Sequence, residues 1–219
     1  MNKIKITEKV DIDALNYLLS IDLDSIDGQK YKDYFETSLI RGGINEVVYT
    51  YGKGKKYGRL YNFNSLQNIS RDIRSFLTQN NYNDFDIVNC QPSILKYVVS
   101  KYYPNKSFPS LDKYILKRKE LLTKNDFFSA LFNEFEIIRN LVWDSPPLDH
   151  VKKPTKKEDN YKGSFLSNII QEFENMHLMD SIKKLNTSKI GALIYDGFYY
   201  DINEPIQPTL QKLNNNKYG

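Results

Sequence analysis

Apolar residues recur at helical spacing over 8–20 and 29–40, which predicts two helices, the second ended by Gly42 and Gly43. Residues 44–51 and 57–62 alternate as strands do, with a Gly- and Lys-rich turn around GKGK between them. Ile69, Ile73 and Leu77 then predict a short amphipathic helix over 69–78. NDFDIVN, 83–89, alternates again, and Pro92 suits the first turn of a helix reaching Tyr103. Further helices are expected near 110–122 and 125–141. A long one follows over 163–185, with Phe165, Ile169, Phe173, Met176 and Ile182 on its apolar side. Pro146, Pro147 and Pro154 mark 144–162 as a loop. The chain then alternates over 190–195 and 198–202, a hairpin, and a short helix follows Pro208. A strand, several helices and a late hairpin make an α+β arrangement. There is no internal repeat.

Composition narrows the class. With 40% hydrophobic and 26% charged residues, the 219-residue chain is globular, not wholly disordered. It holds no run of eighteen apolar residues and no apolar signal core near its N-terminus, so a membrane span is not expected. One cysteine, Cys90, excludes an internal disulfide and points to an intracellular setting, host cytoplasm or nucleus. His150 and His177 are too few for a histidine-based metal site. The net charge of +4 is unevenly placed: residues 51–76 carry Lys53, Lys55, Lys56, Arg59, Arg71 and Arg74 against Asp72 alone. That local balance of +5 suits a polyanion such as nucleic acid. A second basic run, VKKPTKK at 151–157, lies in the Pro-rich loop.

The candidate chemistry begins with GALIYDGFYY, 191–200, where one acid interrupts an apolar run. Asp-Gly is a preferred pair for a two-residue type I′ turn, so Asp196 is explained equally by turn chemistry or by presentation to a metal ion. A second acid is available in the strand over 83–89. Asp84 and Asp86 are two residues apart and share one face of it. Carboxylates on adjacent strands would supply the oxygen ligands that magnesium prefers.

The stretch YGRLYNFNSLQNISRDIRSFL, 57–77, resembles a conserved segment of family A DNA polymerases. Gly58, Arg59 and Leu60 match its Thr-Gly-Arg-Leu. Leu66, Gln67, Asn68 and Ile69 match its Leu-Gln-Asn-Ile-Pro, with Ser70 in place of Pro; Ile73 and Arg74 match a later Ile-Arg. DIVNCQPSIL, 86–95, is similar to motif A, beginning at Asp86. Lys124, Phe128 and Phe132 keep the spacing of motif B, and Tyr195, Asp196 and Gly197 resemble motif C. Only 110 residues separate the two acids and 57 precede Gly58, so the resemblance implies trimmed fingers and no usual thumb. This reduced pattern resembles the transposon–viral polymerase family, related to family A and to the phage single-subunit RNA polymerases. The resemblance covers about 57–200.

What the resemblance implies is specific. The fold would be a polymerase-like palm with an antiparallel sheet and reduced helical fingers at about 104–162, within a domain spanning 44–219 that follows an N-terminal helical segment, 1–43. Asp86 and Asp196 would be catalytic and would hold magnesium ions. Lys124 would contact the triphosphate, Phe128 the incoming nucleotide and Phe132 the template base. Glu120 stands where the family has an Arg, and Arg118 or Lys119 would substitute. Gln91 falls where the family has the Glu that blocks the ribose 2′-oxygen. Arg59, Gln67 and Asn68 would face the primer–template duplex; Arg74 would join them or serve as an internal ion-pair partner. Partners would be nucleic acid, nucleoside triphosphates and a replicative helicase, in cis or in trans. The activity would be template-directed nucleotidyl transfer in replication of a mobile element or virus. A primase using Asp84 and Asp86, a non-catalytic nucleic-acid-binding module and a helical interaction protein are the alternatives.

Overall fold

Asp11 stands between a strand and a helix, and the first sheet is built outward from that junction. In this computed structural model, which describes residues 3–21, 28–52, 56–121, 125–152 and 160–214, β1 (Lys3–Lys9) precedes α1 (Ile12–Ser20). The Asp11 carboxylate accepts the Ala14 amide proton at 2.9 Å, an N-cap that satisfies a donor the helix cannot use. α2 (Gly28–Ile40) follows and breaks at Gly42 and Gly43, both at positive φ. β2 (Ile44–Tyr51) then returns antiparallel to β1 along its whole length, Lys3 facing Thr50 and Lys9 facing Ile44. β3 (Leu60–Tyr61) completes a three-stranded sheet ordered β1-β2-β3.

The strand β1 corrects the expectation of a purely helical N-terminus. KIKITEK alternates cleanly, but its inward face carries Glu8 where an apolar residue would be expected, and the acid hides the strand signal. Residues 1–43 fall in the same compact unit as the two sheets. The chain divides into one unit of 1–87 with 175–217 and another of 88–174. The expected finger region of 104–162 falls inside the second unit and is narrower than it.

The second sheet belongs to the first unit. α3 (Arg71–Thr78) follows a 3-10 turn at Leu66–Asn68 and leads into β4 (Tyr82–Asp86). β5 (Ile190–Ile194) and β6 (Gly197–Asp201) form the late hairpin, and the order is β4-β6-β5, all antiparallel. One face of this sheet places Ala192, Ile194 and Tyr199 against α1, α2 and α3. The other places Phe85, Leu193, Phe198 and Tyr200 in a core with Ile6, Val47 and Tyr49 of the first sheet. Phe85 and Phe198 stack with centroids 5.6 Å apart, and Tyr200 meets Phe85 edge-on at 6.2 Å. Offset and edge-on aromatic pairs of this kind add about 0.5–1.5 kcal/mol each beyond their buried area.

The second unit is helical among its described residues: α4 (Cys90–Tyr102), α5 (Pro109–Leu121), α6 (Asn125–Trp143) and the first part of α7 (Tyr161–Lys183), whose remainder from Asn175 belongs to the first unit. Leu111, Leu131, Ile138, Val142, Phe165 and Ile169 are buried. The Glu134 carboxylate accepts the amide protons of Ser110 and Leu111 at 2.9 and 2.8 Å, placing negative charge at the N-terminus of α5. The helix predicted after Pro208 begins slightly earlier, as α8 (Ile206–Asn214). Among the described residues, no helix is long and apolar enough to cross a membrane.

Candidate active site

β4 and β6 meet at their ends in a way that brings two acids together. Asp86, the last residue of β4, lies opposite Gly197, the first of β6, and Asp196 immediately precedes that glycine. Asp84 lies opposite Tyr199 on the same face as Asp86, while Phe85 between them points into the core. Both strand acids are exposed and Asp196 is half-buried. Asp86 Oδ1 accepts the Ile87 amide proton at 2.9 Å.

The acids feel one another. Partial burial, then the Asp196 carboxylate and more weakly Asp84, hold Asp86 above the ordinary aspartate range, against the Ile87 hydrogen bond and the Arg71 charge. Asp84 is raised mainly by burial and less by Asp196, while Arg74 and Arg71 pull it back. Mutually repelling carboxylates at an open strand end gain by taking up a cation. Among the described residues, no three His, Cys, Asp or Glu side chains are gathered closely enough to enclose an ion. An ion here would rest on one or two carboxylates and complete its shell with water and phosphate oxygens, the usual manner of magnesium.

The turn differs from the sequence expectation by one residue. Tyr195 and Asp196 are its central pair, joining Ile194 to Gly197. Type I′ needs positive φ at both central positions; only Tyr195 has it, at 50°. Gly197 is a strand residue, required for close approach. A Cβ there would lie 2.3 Å from the Phe85 carbonyl oxygen and 3.3 Å from Asp86 Oδ1. The glycine that looked like turn chemistry is what lets β4 carry Asp86 up to the turn. Tyr195 pays for its left-handed backbone, a cost of about 1–3 kcal/mol for a non-glycine, with ring contacts: the Arg59 guanidinium lies 5.0 Å from its centroid and Tyr61 packs edge-on at 6.5 Å.

Other expected site residues fall into four groups. Arg59 is half-buried beside the turn, and Asn68 is half-buried with its amide donating to the Asn62 carbonyl. Gln67 and Arg74 are buried, away from the duplex-facing position expected of Gln67 and in keeping with the internal alternative for Arg74. Gln67 Nε2 donates to the carbonyls of Leu60 and Leu193 at 3.0 and 3.1 Å, tying β3 to β5. Arg74 donates through Nε to the Tyr199 hydroxyl and through Nη1 to the Ile69 carbonyl, at 3.0 and 2.9 Å. Its charge acts inward, on Asp84. In the second unit, Gln91 and Phe128 line one cavity of about 440 Å³ with Tyr114, Leu131 and Arg139. Phe132, one turn along α6, is exposed. Arg118 lies with its guanidinium 5.8 Å from the Tyr114 ring centroid and Nη1 3.4 Å from Asn89 Oδ1. Lys124, together with Lys53, Lys55 and most of the second basic run, lies outside the described residues.

The chain matches no family model, no curated protein and no solved structure. Sequence reasoning missed the stack of Arg59 on Tyr195 and the packing role of Gly197. The first left no sequence signal, and the second was masked by the stronger turn signal of Asp-Gly.

Proposed function

We propose that the protein is a magnesium-dependent nucleotidyltransferase that extends a nucleic-acid chain on a template, with Asp86 and Asp196 as its metal-holding acids. The single observation that carries the reading is the pairing of Asp86 with Gly197, which sets two acids distant in sequence beside each other at the end of one sheet. The motif resemblance over 57–200 gives those acids their roles, and an oxygen-only donor set fits magnesium. Magnesium, when bound, would lower the pKa of an attacking 3′-hydroxyl and neutralise charge on departing pyrophosphate. Asp86 and Asp196 would fix where that charge sits. Arg59 would offer a cation to the backbone of the growing strand. Gln91, Phe128, Phe132, Arg118 and Lys124 would bind the nucleoside triphosphate and template base. A replicative helicase, in cis or in trans, would supply unwound template.

The test is primer extension with DNA and RNA templates and with both nucleotide sets, using wild type, Asp86→Ala and Asp196→Asn. Asn keeps the size of Asp196 but loses the charge a cation requires. Its activity should fall by more than the about 10–100-fold typical of groups that only orient metal ligands, while thermal melts and primer–template binding stay near wild type. A folded Asp196→Asn protein that extends at the wild-type rate would reduce Asp196 to turn chemistry and end the reading.

A primase that starts chains is the second reading. It is favoured by Asp84 and Asp86 standing exposed on one face of β4. Dinucleotide synthesis on a single-stranded template without primer, lost in Asp84→Asn, would select it.

A further inference from the structure

Phe63 is 99% exposed, yet the loop that carries it is tightly held. Asn62 organises that loop: its Nδ2 donates to the Val48 carbonyl at 2.9 Å, its Oδ1 accepts the Asn64 amide proton at 2.7 Å, and its carbonyl accepts from Asn68 Nδ2. A large aromatic ring left in water forgoes the free energy that burial would return. Phe63 borders a pocket of about 300 Å³ in the first unit, lined also by Tyr31, Tyr34, Tyr195, Asn64 and Asn68. Tyr195 is the turn residue before Asp196, and the Arg59 guanidinium lies against its ring.

We propose that this pocket receives a single unstacked nucleobase from a nucleic-acid strand, held against Phe63 and Tyr195 and met at its edge by Asn64 and Asn68. The inference rests on the nucleic-acid reading above and goes beyond it, because Phe63 and the α2 tyrosines lie outside the matched motif residues. Aromatic rings beside amide groups suit an object with an apolar face and a hydrogen-bonding edge, which describes a splayed-out base. An aliphatic ligand would make no hydrogen bond to the Asn64 side chain or to the amide oxygen of Asn68, whose nitrogen already donates to Asn62. The volume lies at the bottom of the about 300–1,000 Å³ range of small-molecule sites, which suits one flat ring system and not a whole triphosphate. Arg59 places positive charge where the strand's phosphate would follow. The base would sit next to the turn that carries Asp196, so the pocket would fix the position of the strand relative to the acids.

The experiment measures equilibrium binding of fluorescent 12-mers by anisotropy: a single strand, the same strand as a blunt duplex, and a fully abasic single strand. Free nucleoside monophosphate serves as a competitor for the single strand. Wild type is compared with Phe63→Ala. Phe63→Ala alters a solvent-exposed ring, and thermal melts verify its fold. It should weaken single-strand binding about tenfold, in keeping with base–aromatic stacking. Duplex and abasic-strand affinities, and the salt slope, should not change. Single-strand affinity unchanged in Phe63→Ala overturns the pocket, as does an equal loss on the abasic strand. Displacement of the single strand by free monophosphate at concentrations near those of the oligonucleotide also overturns it, since the site would then serve free nucleotides. Wild type that binds no oligonucleotide overturns the pocket and the nucleic-acid reading together. Binding lost through Phe63→Ala in a protein that never extends a primer leaves the pocket standing and removes the polymerase reading alone.

Discussion

Glu8 should make the protein less stable as pH rises from 4 to 8. The residue has no exposed surface, and among the described residues no cation is bonded to it. Its oxygens accept from the Tyr34 hydroxyl at 2.9 Å, the Tyr49 hydroxyl at 2.7 Å and the Leu66 amide at 3.0 Å. Three donors favour the ionised form, but burial outweighs them and pushes the carboxyl up to about 7 from its ordinary 4.5. The folded-state value is therefore the higher one. Below about 4.5 the group is protonated in both states and costs nothing. Between 4.5 and 7 the unfolded chain ionises first, and the folded state loses ground; above 7 the loss is complete. A gap of roughly 2.5 units at about 1.4 kcal/mol each gives about 3 kcal/mol. Glu8→Gln mimics the protonated acid and should remove this dependence. Urea unfolding of both proteins at pH 4 and pH 8 isolates the effect, because other groups cancel in the difference. The stability of the Gln variant relative to wild type should rise by about 3 kcal/mol between the two conditions. A difference that stays constant with pH would refute the account of Glu8. The consequence would reach the acids: Tyr49 also accepts the Leu193 amide proton at 3.4 Å, so the Glu8 network is anchored to the hairpin carrying Asp196.

Gly197→Ala should lower stability by about 1–3 kcal/mol, the range for overpacking, because its Cβ would meet the Phe85 carbonyl; an unchanged melting temperature would mean that β4 and β6 can separate without cost. Arg59→Ala should reduce the slope of log K against log salt for primer–template binding by about 0.7–0.9, the share of one phosphate contact. An unchanged slope would place Arg59 in turn support alone.

Periodic apolar positions made most elements legible. Ile73 and Leu77 marked α3, the alternation around Phe85 marked β4, and Phe165, Ile169 and Phe173 marked α7, all because burial of one face repeats at a fixed interval. What failed were polar residues in apolar roles. Glu8 concealed β1, and Gln67 read as a surface group although its hydrogen bonds are internal. Asp-Gly marked the hairpin correctly but misplaced its turn, since a glycine selected for close approach looks in sequence like one selected for positive φ. The division into two units could not be read because α7 is one uninterrupted helix that serves both.

The union of β4 with β6 also has a time attached to it. At about 5–20 residues per second of synthesis, Asp86 leaves the ribosome roughly 5–20 s before Asp196, which lies 110 residues later. Residues 88–174, the whole of the second unit's main segment, are made in that interval. Meanwhile β4 waits without β6, its pairing strand among the described residues, and Phe85 without its stacking partner. The acid pair is thus among the last features a nascent chain acquires. A polypeptide terminated before Asp196 carries Asp84 and Asp86 without their partner from the hairpin, so on the proposed nucleotidyltransferase reading prematurely ended products should be inert toward nucleotides.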